Sequence, residues 1–391
     1  MTAMQVARFV LVAVLANVAL QAWTSPYVTY STSHLSVLEA PPSTWPTLAP
    51  LEGPLAANEI LKTASQRLPE EDLPGHAETV VFGADGRLYA LLEGDVWSAA
   101  ADGSDLQLYA HTGGRPLGGK FDAHGNLVYA DAVHGLLMVE ASSRKVVKLT
   151  DRVSSDSALE PGSAIQYAND LDISASGLIY FSDACVIPPA RLETGKYDTL
   201  GASIASYLQG PTGRLLSYNP DSGATHVVAT GLWFANGVAL SSDESFVAVA
   251  ATFSARLYRH WLQGPKAGMT EPFADLPGVV DGLSRSADGG FWAAICSSMS
   301  PLVELGTQHR MLRFIMGWLP KQMKPKRVPG GMVVKVSPEG QLTQMLQDPT
   351  GKQADFVSAV TEHEGRLYLG SLAKKYVGVY DLTGSGSTAT S

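Results

Sequence analysis

Glu78, Asn169, Asn236 and Asp281 each stand a few residues ahead of a tight-turn signal, at the start of an apolar, strand-like stretch. Carboxylates and amides are poor strand residues, so their recurrence at one position asks for a chemical reason. Brought together, two carboxylates and two amide carbonyls form an all-oxygen donor set suited to a hard cation. Calcium fits better than magnesium, because the protein itself would supply so many of the ligands. Neither Cys nor His shares the position, which argues against zinc or copper. The plainer reading is that these are strand-entry residues facing water, and Asn236-Gly237 alone is an ordinary turn dipeptide. His134, just past "LVYADAV", is a candidate proton carrier or substrate contact; a lone His is also a common structural residue.

The elements that would position these groups recur along the chain. A unit of strand, small turn, strand appears as "AETVVFGADGRLYALL", "LGGKFDAHGNLVYADA", "NDLDISASGLIYFSDA", "NGVALSSDESFVAVAA", "DGLSRSADGGFWAAI" and "VSAVTEHEGRLYLGSL". The turns are Asp85-Gly86, His124-Gly125, Ser176-Gly177, Asp243-Glu244, Asp288-Gly289 and Glu364-Gly365, five of them with Gly where a hairpin often needs positive φ. Two further strand-like runs follow several units. Six units of four strands predict an all-β, six-bladed β-propeller over residues 56–382; an irregular β-sandwich is the alternative. In a propeller the first strand of each blade lines the axis, so the four donors would converge. Leu117 and Val357 take that position in the other two units. The second strand returns to the same face, which places His134 there with two long insertions. One runs from Val186 to Gly210. The other, Ser297 to Gly330, carries Arg310, Arg313, Lys321, Lys324, Lys326 and Arg327 among apolar residues, and reads as a lid, a membrane-resting segment or ordinary packed surface. Cys185 and Cys296 end second strands in non-adjacent units and are not expected to bridge.

With 45% hydrophobic residues, 38 glycines and 17% charged residues, the 391-residue chain is a globular, turn-rich protein. A net charge of -9 without a basic stripe excludes a nucleic-acid binder, and two cysteines exclude a disulfide scaffold. Residues 1–25 hold the uncharged run "FVLVAVLANVALQAW", Phe9 to Trp23, behind Arg8. It reads as a signal-anchor or as a cleaved signal peptide. The positive flank would stay cytoplasmic, leaving the body lumenal or extracellular on a membrane anchor in the secretory pathway, or secreted or vacuolar after cleavage. Residues 26–55 are proline-rich and read as an extended linker; 383–391 read as a flexible tail.

The units "GRPLGGKFDAHGNLVYADAVHGLL", "ANDLDISASGLIYFSDA", "FANGVALSSDESFVAVA" and "EHEGRLYLGSL" resemble the strictosidine synthase-like family. With the N-terminal apolar run and the basic insertion, the resemblance is closest to its adipocyte plasma membrane-associated protein branch. It covers residues 56 to about 382 and implies a six-bladed propeller related to paraoxonases and gluconolactonases. Strictosidine synthases use a catalytic Glu near the mouth of the last blade; counting back from "EHEG" gives Ser358, a departure that weighs against strictosidine synthesis. The relatives imply a calcium-dependent ester or lactone hydrolase of arylesterase type, with Glu78, Asn169, Asn236 and Asp281 as Ca2+ ligands. They also imply Asp281 as a base, and His134 as the second His of a dyad whose first falls near Leu117. No GxSxG element is present. Two other functions stay open: a non-catalytic propeller binding a ligand or partner at its metal face, and a condensing enzyme of strictosidine synthase type. The expected partners are a small ester or lactone and, through the N-terminal segment, a membrane.

Overall fold

In a computed structural model, residues 25–30, 36–69, 73–319, 323–324 and 327–383 are described. Six four-stranded antiparallel sheets form six blades. The innermost strands, Thr79–Phe82, Pro116–Phe121, Ala168–Ile173, Ala235–Leu240, Val279–Arg285 and Val357–His363, neighbour one another in a closed ring around the axis. The chain is a six-bladed propeller. The apolar run Phe9 to Trp23 lies outside the described residues. Among those described, no helix is long and apolar enough to cross a membrane.

The repeated turns do what their glycines suggest. Gly86, Gly125, Gly177, Gly289 and Gly365 have φ between 74° and 91°, a region glycine enters without steric penalty. In blade four the residue in this conformation is Glu244, at φ 54°. Second strands such as Leu88–Leu92, Ile179–Asp183 and Phe246–Ala251 are buried throughout, because each sheet is covered on both faces by its neighbours. The apolar cores lie between blades. Between blades four and five, Phe246, Phe273 and Phe291 pack at centroid distances of 5.3 to 6.0 Å. Burying one such side chain contributes about 1.5–3 kcal/mol.

Blade six is completed from the other end of the chain. Its fourth strand is Ser65–Leu68, paired Ser65↔Tyr380 through Leu68↔Val377. The stretch before it, expected as a spacer with the folded body starting near Ala56, is extended but held. Leu38 N–H donates to Gln209 O (2.7 Å) and Ala49 N–H to Leu276 O (3.2 Å). Ser43 O accepts from Arg256 Nη1 and Tyr258 Oη at 2.8 and 3.0 Å. Leu55 enters the core between blades four and five, and Asn58 Nδ2 donates to Met345 O (2.9 Å). A proline-rich strap can lie along a blade as well as hang free.

The two insertions build a helical cap on one end of the axis. The first gives α1 (Thr199–Gln209), whose N-cap Asp198 accepts from Gly201 N–H at 2.9 Å. The second gives α2 (Pro301–Gln308), capped by Ser300, and α3 (Arg310–Trp318). Arg313, one of the residues that make this insertion look basic, is fully buried. Its guanidinium donates to Leu208 O (3.2 Å), to Gly306 O and Thr307 O (both 3.0 Å) and to Leu38 O, and lies 5.0 Å from the Trp233 ring centroid. One cation therefore joins all three helices to the strap.

Candidate metal centre

The first-strand donors sit on irregular backbone. In blades two to six the pairing of the first two strands shifts register near the strand start, between Pro116 and Gly119, Ala168 and Leu171, Ala235 and Val238, Val280 and Leu283, and Val357 and Val360. A bulge leaves a residue unpaired and re-aims its side chain. Asn169, Asn236 and Asp281 occupy the first shifted position, while Glu78 directly precedes the first strand of blade one. All four are buried and line one cavity of about 440 Å³ beneath the cap. Its wall is otherwise largely apolar, including Leu117, Tyr167, Phe234, Phe253 and Phe356.

The bulge also corrects the register of blade six. Ser358, not Val357, holds the position matching Asn169, since Val357 pairs with Ser371 as Ala168 pairs with Asp183. Ser358 is outside the cavity lining, and its hydroxyl donates to Glu78 O at 2.7 Å. The residue after Asn236 and the residue after Asp281 must be small, because the neighbouring inner strand approaches closely there. A Cβ on Gly237 would lie 2.6 Å from Gly282 C and closer still to Leu283 N; one on Gly282 would lie 2.6 Å from Ser358 O. Asn236-Gly237 and Asp281-Gly282 are thus bulge dipeptides rather than hairpin turns. Gly237→Ala is expected to destabilise the protein by about 1–3 kcal/mol through overpacking and to weaken calcium binding by shifting Asn236. Denaturant unfolding and calorimetric titration check both; unchanged affinity would remove the bulge from the account of the site.

Asn236 Nδ2 donates to Asp281 Oδ1 (2.6 Å) and Thr252 Oγ1 (3.2 Å). Glu78 Oε2 accepts from the buried Arg115 Nη2 at 2.7 Å. Burial pushes the Asp281 carboxyl well above its usual range, the nearby Glu78 adding to it and the Asn236 amide opposing. Burial raises Glu78 too, against Arg115. The Glu78 and Asp281 carboxylates share the guanidinium of Arg115 alone, since Arg327, which also lines the cavity, is paired with Asp355. Among the described residues none hydrogen bonds the Asn169 side chain, although it is only 6% exposed. An unpartnered amide, two enclosed carboxylates and a second amide fit a hard divalent cation such as calcium. Among the described residues no group of three or more His, Cys, Asp and Glu side chains gathers to hold a metal.

His134 stands elsewhere. It follows the strand Leu127–Asp131, its backbone N–H donates to Asp131 Oδ1 (3.0 Å), and it is not part of the cavity lining. Arg115 escapes sequence reasoning because it meets Glu78 only through the fold. Asp170 turns away from Asn169, as strand alternation requires. Its carboxylate accepts from Leu171 and Val238 N–H at 2.9 and 3.0 Å, tying blade three to blade four. It lines a second cavity of about 250 Å³ with Lys120, Glu362 and His363, and burial raises its pKa to about 7. Cys185 and Cys296 are free and buried.

Glu78, Asn169, Asn236 and Asp281 thus line one buried cavity of a six-bladed propeller. The chain belongs to the strictosidine synthase-like family: it is 35% identical over 283 residues to the protein Strictosidine synthase-like 10 of Arabidopsis thaliana, covering 70% of this chain and 71% of that protein. The strictosidine synthase family model matches residues 169–265. The adipocyte plasma membrane-associated protein of Rattus norvegicus is 32% identical over 343 residues, 83% of this chain and 88% of that one. In fold this chain is similar to a gluconolactonase from Xanthomonas campestris, with a TM-score of 0.57 at 18% identity, covering 88% of this chain and 99% of that one. The calcium-binding protein regucalcin from Agrobacterium tumefaciens gives a TM-score of 0.52 at 14% identity, covering 80% and 92%.

Proposed function

We propose that the chain is a calcium-dependent hydrolase of neutral, apolar esters or lactones, anchored to a membrane of the secretory pathway by residues 9–23. The observation that carries the reading is the pairing of Asp281 and Glu78 with two amides at the base of an apolar cavity. Glu78, Asn169, Asn236 and Asp281 would hold the ion, with Arg115 fixing Glu78. The chemistry a bound calcium ion supplies is polarisation of the substrate carbonyl and stabilisation of the developing oxyanion. Asp281, a cavity-lining carboxylate, takes the proton of the attacking water; His134 is not placed for that task. Tyr167, Phe234, Phe253 and Phe356 exclude water around the acyl or aryl group. A polyhydroxylated sugar lactone is a poor fit, because its hydroxyls would be desolvated without partners.

The test is hydrolysis of aryl esters, long-chain esters and lactones by the full chain, with chelator and with calcium restored. Turnover of apolar substrates that vanishes with chelator and returns with calcium is the expected result. Turnover indifferent to chelation defeats the mechanism. Calcium binding with no turnover across the panel favours the non-catalytic reading, which the existing Arg115–Glu78 and Asn236–Asp281 contacts keep in play.

A further inference from the structure

The strap and the cap fix where the N-terminal segment meets the folded body. Ser25, two residues beyond the apolar run, donates its hydroxyl to Gly317 O on α3 at 2.9 Å. The short helix Pro26–Thr29 packs on α1 and α3, and the Tyr30 hydroxyl donates to Asp198 O (3.2 Å) at the start of α1. From Leu38 onward the strap is bonded to the cap and then to blades four and five. A free linker of residues 26–55 could reach on the order of 100 Å and would let the propeller adopt any attitude. Here that length is spent on contacts. The chain emerges from its apolar run at the cap, on α3, rather than at the end of a tether.

The cap presents apolar side chains outward. Met311 and Ile315 on α3 are 63% and 52% exposed; Leu302 and Leu305 on α2, and Leu200 and Ile204 on α1, are exposed as well. Leu200 and Ile204 also line the cavity, as do Ser300 and Val303 at the start of α2. The exposed apolar surface is therefore continuous with the rim of the candidate site. Elsewhere on an acidic, soluble-looking propeller, such a patch marks an interaction surface.

We propose that the cap rests on the bilayer that holds residues 9–23, with α2 and α3 partly immersed in the interface and the cavity opening toward lipid. The substrate class follows: esters or lactones drawn from the membrane phase rather than from water. The inference rests on reading residues 9–23 as a membrane segment, and the orientation stands independently of whether the site is catalytic.

The experiment uses the full chain reconstituted into phosphatidylcholine vesicles carrying a lipid-attached fluorescence quencher. A single dye is placed at Met311→Cys, at Ile315→Cys or, as reference, at His124→Cys in an exposed turn at the opposite end of the axis. Cys185 is buried, and Cys296, which lines the cavity, is replaced by Ser in every labelled variant. The expected result is blue-shifted emission and at least severalfold stronger quenching at 311 and 315 than at 124. Vesicle flotation with equal or stronger quenching at 124 overturns the orientation alone. Failure to float overturns the membrane-segment reading and this inference with it. Shielding at 311 and 315 that persists without lipid, in a chain-to-chain dimer, also overturns it. In a second arm, Leu305→Glu/Ile315→Glu is expected to lower hydrolysis of a vesicle-borne ester tenfold or more while leaving a water-soluble aryl ester unchanged; equal loss on both overturns the claim about membrane-phase substrates.

Discussion

Asp281→Asn is expected to lower kcat/KM for ester hydrolysis by about 10²–10³-fold and to abolish the rise in Tm that calcium produces, without loss of stability in calcium-free protein. The reasoning is electrostatic. Asp281 is buried, its carboxyl is raised well above the ordinary range by burial and by Glu78, and one neutral amide opposes the shift. A carboxyl whose folded pKa is raised binds its proton more tightly folded than unfolded. Its stabilising effect is full below about pH 3.9, the unfolded value, and is lost as pH rises toward the folded one. Calcium-free wild type is therefore expected to lose stability over that rise, and calcium held at the proposed centre is expected to restore it. The amide variant carries no such charge, so its pH–stability curve is flatter and insensitive to calcium. Scanning calorimetry across pH, with and without chelator, reads all three effects. A calcium-dependent Tm rise that survives in the variant would move the ion elsewhere.

The second large effect belongs to Arg313. Arg313→Ala removes the donor that satisfies Leu38, Leu208, Gly306 and Thr307 carbonyls and empties space beside Trp233. Each buried acceptor left unpaired costs about 1–3 kcal/mol, so a destabilisation of at least about 3 kcal/mol is expected. The loss should be local, because the interblade cores lie away from the cap. Hydrogen exchange should rise in residues 199–209 and 301–318 while second strands such as 246–251 stay protected. KM for apolar esters should increase as the cavity loses its cover. Uniform loss of protection in cap and blades together would show that the cap is part of the propeller's single cooperative unit.

Much of the architecture is legible because propeller geometry repeats. A glycine at positive φ marks every blade but the fourth, where Glu244 takes that place, and counting back from the turn finds the donors of blades one, three, four and five. The count slips by one in blade six, where Ser358 rather than Val357 takes the matched position, because the turn there is tighter: only Glu364 and Gly365 separate the paired His363 and Arg366, whereas residues 174–178 separate the paired Ile173 and Ile179. Arg115 and Arg313 show the other limit. Each is a cation whose surroundings come from distant parts of the chain, so sequence reads Arg313 as part of a basic surface while the structure buries it among carbonyls. The strap hides for the same reason: proline content reports the shape of a segment, not what it lies against. His134 illustrates position without proximity, being on a loop that follows a second strand but outside the cavity wall.

The strand Ser65–Leu68, paired with Val377–Asp381, gives the ring a seam, and a seam sets a timetable. Closing a loop of that length costs about 5 kcal/mol of chain entropy, recovered only when the last strand exists to receive the first. Until the ribosome has delivered residue 381, five blades can form but the sixth stands open, and the donors of blades one and five have no closed circle to hold them together. Integrity of the centre is in this sense a property of the closed ring: a frameshift that removes Val377–Asp381 reaches Glu78 as surely as one beside it.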